Sequence, residues 1–80
     1  MRLDQYLSDL GLIKRRTVAK EMADGGLVKL NGQRVKPAHM VKPGDIISIS
    51  GSRPMTVEVK ELPVGNVKKE EREKYYGVIG

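Results

Sequence analysis

The apolar residues of this chain recur with a helical period up to about residue 24 and with a period of two from Leu27 onward. A helical period gathers every third or fourth side chain on one face, whereas a period of two gathers alternate side chains on one face of a strand. Eighty residues are enough for one domain. The sequence therefore predicts an α+β fold in which two helices precede a set of short antiparallel strands.

Two short helices are predicted in the first third of the chain. The apolar residues of the first are Leu3, Tyr6, Leu7 and Leu10, at i, i+3, i+4 and i+7, and Gly11 is a natural stop. The second runs from about Arg15 to Asp24 and gathers Val18, Ala19, Met22 and Ala23 on its apolar side. Gly25 and Gly26 end it.

Asn31-Gly32 lies between two alternating runs and is the strongest short hairpin signal in the chain. A two-residue loop places Leu30 opposite Gln33, Lys29 opposite Arg34 and Val28 opposite Val35. Further strands are predicted at 46–50 and from Met55 to near Pro63, and "VKPGD" (41–45) predicts a type II turn. The domain is predicted to span residues 1–63, followed by a charged tail over 64–80 that is partly helical, around 68–75, or disordered.

The positive charge is confined to the first half of the chain. Residues 1–42 hold nine Lys or Arg against four acids, and residues 43–80 hold six of each. Such asymmetry indicates an anionic partner, either a nucleic acid or a membrane surface. A membrane-surface helix is disfavoured because the apolar side of the second helix has no large aromatic residue.

Several cations lie at positions where they lower the stability of the fold. Lys14, Arg15 and Arg16 occupy the start of the second helix, whose positive end and free N–H groups favour an anion. Arg16 and Lys20 repel at i, i+4, and Lys29 and Arg34 repel across the hairpin. A phosphate-bearing partner would remove this repulsion, although a basic face that only contacts water remains an alternative.

Catalysis, metal binding and a cofactor are not expected. His39 is the only histidine, there is no cysteine, and the serines have no neighbouring base. Gly25-Gly26 is better explained as a helix stop than as a nucleotide loop. The absence of cysteine is compatible with a reducing compartment, and no signal peptide or transmembrane run is visible. We therefore expect a cytoplasmic protein that is not an enzyme.

The motifs "RLDQYL", "GLIKRRTVAKEMADGGLVKLNGQRVKP" and "VKPGD" resemble, in this order and at this spacing, the S-four RNA-binding domain, called after ribosomal small-subunit protein four. The resemblance covers Arg2 to about Ile47. It implies two N-terminal helices packed on a small twisted antiparallel-rich sheet, the alpha-L RNA-binding motif, here with a possible short C-terminal helix. It also implies that the second helix and the hairpin form a concave basic surface for structured RNA.

The resemblance and the charge pattern together give the candidate RNA-binding residues. These are Arg2, Lys14, Arg15, Arg16, Thr17, Lys20, Lys29, Asn31, Arg34 and Lys36. Asp4 is expected to orient or cap the first helix and not to contact RNA. Many family members have Ser before the Arg of the second helix, where this chain has Arg15, so capping of that helix is left open, and Thr17 is either an ordinary helix residue or shifts the start of the helix.

The free-standing form of the domain resembles family members that act in ribosome-associated quality control. That resemblance implies binding to obstructed large ribosomal subunits, contact with rRNA and P-site peptidyl-tRNA, and support of alanine tailing by the quality-control protein RqcH. We expect a monomer with no membrane partner. Two alternatives stay open: a general ribosome-assembly factor or RNA chaperone that binds structured rRNA, and a subunit that delivers RNA to a separate modifying enzyme.

Overall fold

The computed structural model describes the whole chain, Met1–Gly80. Its elements in chain order are α1 (Leu3–Asp9), α2 (Arg16–Asp24), β1 (Val28–Leu30), β2 (Gln33–Arg34), β3 (Ile46–Ile49), β4 (Met55–Val59), a 3₁₀ helix (Lys69–Lys74) and β5 (Tyr76–Val78). The predicted α+β class is confirmed. No helix is both long enough and apolar enough to cross a membrane.

The five strands form one antiparallel sheet in the order β2-β1-β3-β4-β5. The hairpin register is the predicted one, with Lys29 opposite Arg34 and Leu30 opposite Gln33. Asn31 and Gly32 both have positive φ, at 51° and 80°, as a two-residue hairpin loop requires. The turn before β3 closes through a 3.1 Å hydrogen bond from Asp45 N to Lys42 O, and the φ of Gly44 is 94°. This geometry agrees with the predicted type II turn.

The core lies between the two helices and one face of the sheet. Its buried apolar residues are Leu3, Tyr6, Leu7, Leu10, Ile13, Ala19, Ala23, Val28, Leu30, Val41, Ile47, Ile49, Val57 and Val59. Helix α2 contributes only the small residues Ala19 and Ala23 to this buried set. Val18, predicted on the apolar side, is 40% exposed, because α2 packs on α1 and β1 through its buried alanines.

The start of α1 is closed by the loop that follows β2. Leu3 N donates to His39 O at 2.8 Å and Asp4 N donates to Pro37 O at 3.1 Å. The carboxylate of Asp4 accepts from Gln5 N at 2.8 Å. The first N–H groups of this helix are therefore occupied within the chain, and α1 does not offer them to an anion.

The C-terminal segment adds an edge to the sheet. A 3₁₀ helix forms where a short charged helix was predicted, and β5 then pairs with β4. Tyr75 and Tyr76 are partly buried against the core, and the hydroxyl of Tyr6 donates to Tyr75 O at 2.7 Å. The sequence did not predict β5. A domain boundary at residue 63 stays a prediction.

Candidate nucleic-acid interface

Helix α2 begins without a cap. Arg15 occupies the N-cap position in an extended conformation (φ −120°, ψ 138°), and no side chain there accepts a backbone hydrogen bond. Ala19 N is the first to find a partner, Arg15 O at 3.0 Å, and the N–H groups of Arg16, Thr17 and Val18 have no acceptor in the chain. Thr17 is thus an exposed residue of the first turn and not a cap. The free donors and the positive helix end together make a site for an anion.

A buried carboxylate binds two arginines beside this helix start. Asp4 Oδ1 accepts from Arg2 Nε at 3.2 Å, and Asp4 Oδ2 lies 3.1 Å from Arg2 Nη2 and 3.5 Å from Arg16 Nε. The Asp4 side chain is 3% exposed, whereas those of Arg2 and Arg16 are 44% and 48% exposed. Asp4 therefore fixes one side of each guanidinium and leaves the remaining N–H groups available to an external acceptor.

These two contacts are the only ion pairs in the molecule. Five other candidate cations are exposed and have no carboxylate partner: Lys14, Arg15, Lys20, Lys29 and Lys36. No acid of the chain neutralises them at close range, so their positive charge is available to attract an anionic partner.

Arg34 connects the hairpin to α2. Its guanidinium donates to Asp24 O, the carbonyl of the last residue of α2, and packs near Gly26, where an added Cβ would lie 3.6 Å from Arg34 Cδ. A cation at the end of a helix offsets the partial negative charge of its free carbonyls. Arg34 therefore has a role inside the fold, and this contact also explains how the chain tolerates Lys29 opposite it.

The side chain of Asn31 is occupied by the next part of the sheet. Its Nδ2 donates to Asp45 Oδ1 at 3.1 Å and its Oδ1 accepts from Ile46 N at 2.9 Å. Asp45 is buried and also accepts from Lys42 N at 3.0 Å. Asn31 thus fixes the hairpin tip to the start of β3. Its assignment as an RNA-binding residue stays a prediction.

The fold brings some of the candidate residues together at the two ends of α2. Arg2 and Arg16 meet at Asp4, and Asp4 N bonds to the carbonyl of Pro37, the neighbour of Lys36. At the other end of α2, a shallow cavity is lined by Ala23, Asp24, Arg34, Val35 and Lys36. Lys14 and Arg15 flank the start of α2, and Lys29 lies on the outward face of β1.

The contact between Asp4 and Arg16 is not predicted by the sequence. The motif "RLD" places Arg2 and Asp4 near each other along the chain, but Arg16 reaches the carboxylate only because α1 and α2 pack together. No local spacing signals such a pair. The expected role of Asp4 is to orient or cap the first helix, and its carboxylate does accept from Gln5 N in that helix.

Comparison with known proteins identifies the family of this chain. The S4 domain model, that of the S-four family, matches residues 1–47. Relatives named RQC P-site tRNA stabilizing factor are 45% identical in Bacillus subtilis, over 99% of this chain and 92% of the relative, and 42% identical in Streptococcus pneumoniae, over 99% and 90%. The structure of Vibrio cholerae Heat Shock Protein 15 superposes with a TM-score of 0.90 at 30% identity, covering 99% of this chain and 81% of that one. The chain belongs to the S4 domain family.

Proposed function

We propose that this chain is a non-catalytic RNA-binding factor of ribosome-associated quality control, of the type called RqcP. It binds large ribosomal subunits obstructed by peptidyl-tRNA, contacts rRNA and the P-site tRNA, and supports alanine tailing. The names of the relatives that align over nearly the whole chain support this proposal. So does the membership in a family of RNA-binding domains.

The observation that carries the proposal is the uncapped start of α2 beside the Arg2–Asp4–Arg16 cluster. Three unpartnered N–H groups and two half-exposed guanidinium groups lie together there, with Lys14 and Arg15 next to them. Arginine can bind two phosphate oxygens at once, whereas lysine acts as a point charge. This set of donors fits the backbone of a folded RNA.

The surface recognises RNA shape and backbone more than single-stranded bases. Binding of splayed bases relies on aromatic side chains that stack on them, and the chain has three tyrosines and no Phe or Trp. Tyr6 is buried, and Tyr75 and Tyr76 pack against the core from the C-terminal segment. None of them is among the candidate site residues.

The partners and the location follow from the same proposal. The protein acts in the cytoplasm as a monomer and meets the alanine-tailing protein RqcH on the same subunit. These statements rest on the resemblance to quality-control factors.

A general ribosome-assembly factor or RNA chaperone is the second candidate. The same cations would bind structured rRNA without tRNA. The close likeness of the fold to a heat shock protein is the observation that favours it.

Co-sedimentation separates the two candidates. The purified protein is mixed with empty large subunits, with large subunits carrying peptidyl-tRNA, and with free tRNA, at physiological and raised salt. We expect preferential binding to the obstructed subunit, loss of this binding in Arg16→Ala, and no loss in Lys69→Ala, which removes an exposed cation of the 3₁₀ helix. Equal binding to empty subunits would support the second candidate, and binding to none of the samples would refute both.

A further inference from the structure

The loop between α1 and α2, residues 10–15, carries Lys14 and Arg15 but has few hydrogen bonds of its own. Gly11 N donates to Ser8 O and Ile13 N donates to Leu7 O, both at 3.1 Å. The N–H groups of Leu12, Lys14 and Arg15 have no backbone acceptor. The conformation that presents these two cations must therefore depend on what packs against the loop.

Arg72 of the 3₁₀ helix packs against this loop at Gly11. Gly11 has a φ of +70°, and a Cβ at this position would overlap Arg72 Nη1 and lie 2.9 Å from Arg72 Cζ. The guanidinium thus fills space that only glycine leaves open. The contact lies at the C-terminal end of α1, where a positive charge is favoured by the free carbonyls.

No acid of the chain holds Arg72 in this position. It takes part in neither ion pair, although Glu70, Glu71 and Glu73 lie in the same 3₁₀ helix. Its Nε is buried without a hydrogen-bond partner. A buried donor without a partner costs free energy. Because neither an ion pair nor a hydrogen bond of Nε holds the side chain, its position depends on its packing against the loop.

The segment that presents Arg72 is firmly attached to the core. Tyr75 N donates to Arg72 O at 3.1 Å, and Tyr75 O accepts from Lys60 N, Glu61 N and the hydroxyl of Tyr6. Burial, with a smaller contribution from Tyr76, raises the pKa of the Tyr6 hydroxyl far above its ordinary value. The hydroxyl therefore remains a donor at neutral pH. These hydrogen bonds connect α1, the residues that follow β4 and the residue that precedes β5. They hold the C-terminal end of the 3₁₀ helix in place.

We infer that Arg72 is a positioning residue for RNA binding: it holds the α1–α2 loop from the C-terminal side and so fixes Lys14 and Arg15 relative to the Arg2–Asp4–Arg16 cluster. Its effect on RNA affinity rests on the proposed function. Its effect on the loop does not, because the contact is made within the free protein.

Amide hydrogen exchange in the free protein tests the loop directly. Arg72→Ala is compared with the wild type and with Lys69→Ala, a matched loss of one positive charge in the same helix. We expect exchange of the Gly11 and Ile13 amides to be about tenfold faster in Arg72→Ala only. Exchange of Ser50 N, bonded to Leu27 O at 2.8 Å next to the paired strands β1 and β3, should not change. Unchanged exchange at Gly11 and Ile13 would overturn the inference.

RNA binding across a salt series tests how the residue acts. We expect Arg72→Ala to bind obstructed large subunits several-fold more weakly with the same log–log salt slope, and Arg72→Lys to recover part of the affinity. A slope reduced by about 0.7–0.9 would show that Arg72 neutralises a phosphate itself and would overturn the positioning role. Unchanged affinity would overturn it as well.

Two controls keep the outcomes separate. If Arg72→Ala loses its far-UV circular dichroism, Arg72→Gln, which keeps part of the stem, replaces it in both measurements and is held to the same expectations. If the wild-type protein does not bind obstructed subunits, the proposed function fails. The exchange result then still decides whether Arg72 holds the loop.

Discussion

The central residue of the candidate site is an acid. Asp4 lies on a surface expected to bind polyanionic RNA, yet its side chain is 3% exposed and is bound by Arg2, Arg16 and the N–H of Gln5. Burying a carboxylate is costly unless its lone pairs are satisfied. Here the cost is reduced because both arginines keep about half of their surface in water. The gain is orientation of two guanidinium groups that would otherwise sample many rotamers.

Asp4→Asn should weaken RNA binding even though it removes a negative charge from a basic surface. The amide can still accept from Gln5 N but no longer balances Arg2 and Arg16, so both side chains lose their fixed position. We also expect a loss of about 1–3 kcal/mol of unfolding free energy. The measurements are RNA affinity and urea unfolding. Asp9→Asn, in the same helix but in no ion pair, should bind RNA as well as the wild type or better. Tighter binding by Asp4→Asn would contradict the role given to this residue.

At the scale of the elements, the first turn of α2 is less stable than that of a helix with a side-chain cap. Most helices begin with a side chain that accepts from the free N–H groups, typically Ser, Thr, Asp or Asn. This helix begins with Arg15, which cannot accept, and its first turn holds no acid. The unsatisfied donors and the adjacent cations are the properties that a phosphate site requires.

Arg15→Ser should therefore raise stability and lower RNA affinity in the same molecule. Arg15 already has the extended backbone conformation of an N-cap, so a serine hydroxyl there can accept from the N–H groups of the first turn. We expect the unfolding free energy to rise by about 0.5–2 kcal/mol. Arg15→Ala removes the same charge without supplying a cap, so it should lose RNA affinity without this gain. Thermal melts and binding at one salt concentration measure both effects. If Arg15→Ser is less stable than the wild type, the N–H groups of the first turn already have acceptors in solution.

At the scale of the whole molecule, the C-terminal segment completes the fold that the N-terminal half begins. The S4 domain model ends at residue 47, but the later residues Val57, Val59, Tyr75 and Tyr76 belong to the core or its margin. The segment also contacts α1 at Tyr6 and the α1–α2 loop at Gly11. The half that carries the candidate site is thus supported by the segment that forms the β5 edge of the sheet.

Removal of residues 64–80 should destabilise the domain strongly. The deletion exposes β4 along its edge, removes two partly buried tyrosines and leaves the hydroxyl of buried Tyr6 without its acceptor. We expect a loss of roughly 3 kcal/mol or more, by comparison with the truncation of large core side chains. A domain of this size typically has only about 4–12 kcal/mol in total. An unchanged urea midpoint would show that the segment does not support the core.

RNA binding should depend steeply on salt. The free cations of the site can each neutralise a phosphate, and each neutralised phosphate contributes a log–log slope of about 0.9 on duplex and about 0.7 on single strands. We expect Lys14→Ala and Lys20→Ala each to reduce the slope by close to one such increment, because both side chains are exposed and unpaired. Binding is measured at four or more salt concentrations. A flat response would exclude phosphate contacts.

Local signals predicted most of this fold, and the features that depend on tertiary packing were not predicted. The period of the apolar residues located both helices, and Asn31-Gly32 fixed the register of the hairpin because its turn type leaves no other pairing. Strand β5 was missed because it has three residues and its partner β4 precedes it by about twenty positions. The cations of the site were visible as a charge pattern, whereas the positions of Arg16 and Arg72 arise only when distant elements meet.

The three tyrosines give the protein a convenient spectroscopic property. Tyr6, Tyr75 and Tyr76 are its only aromatic residues, and they meet where the C-terminal segment contacts α1. Near-ultraviolet circular dichroism and tyrosine fluorescence will therefore report on that junction and not on the basic surface. If a substitution on the basic surface alters the tyrosine signal of the free protein, the change has been transmitted through the core, and an unlabelled sample is enough to detect it.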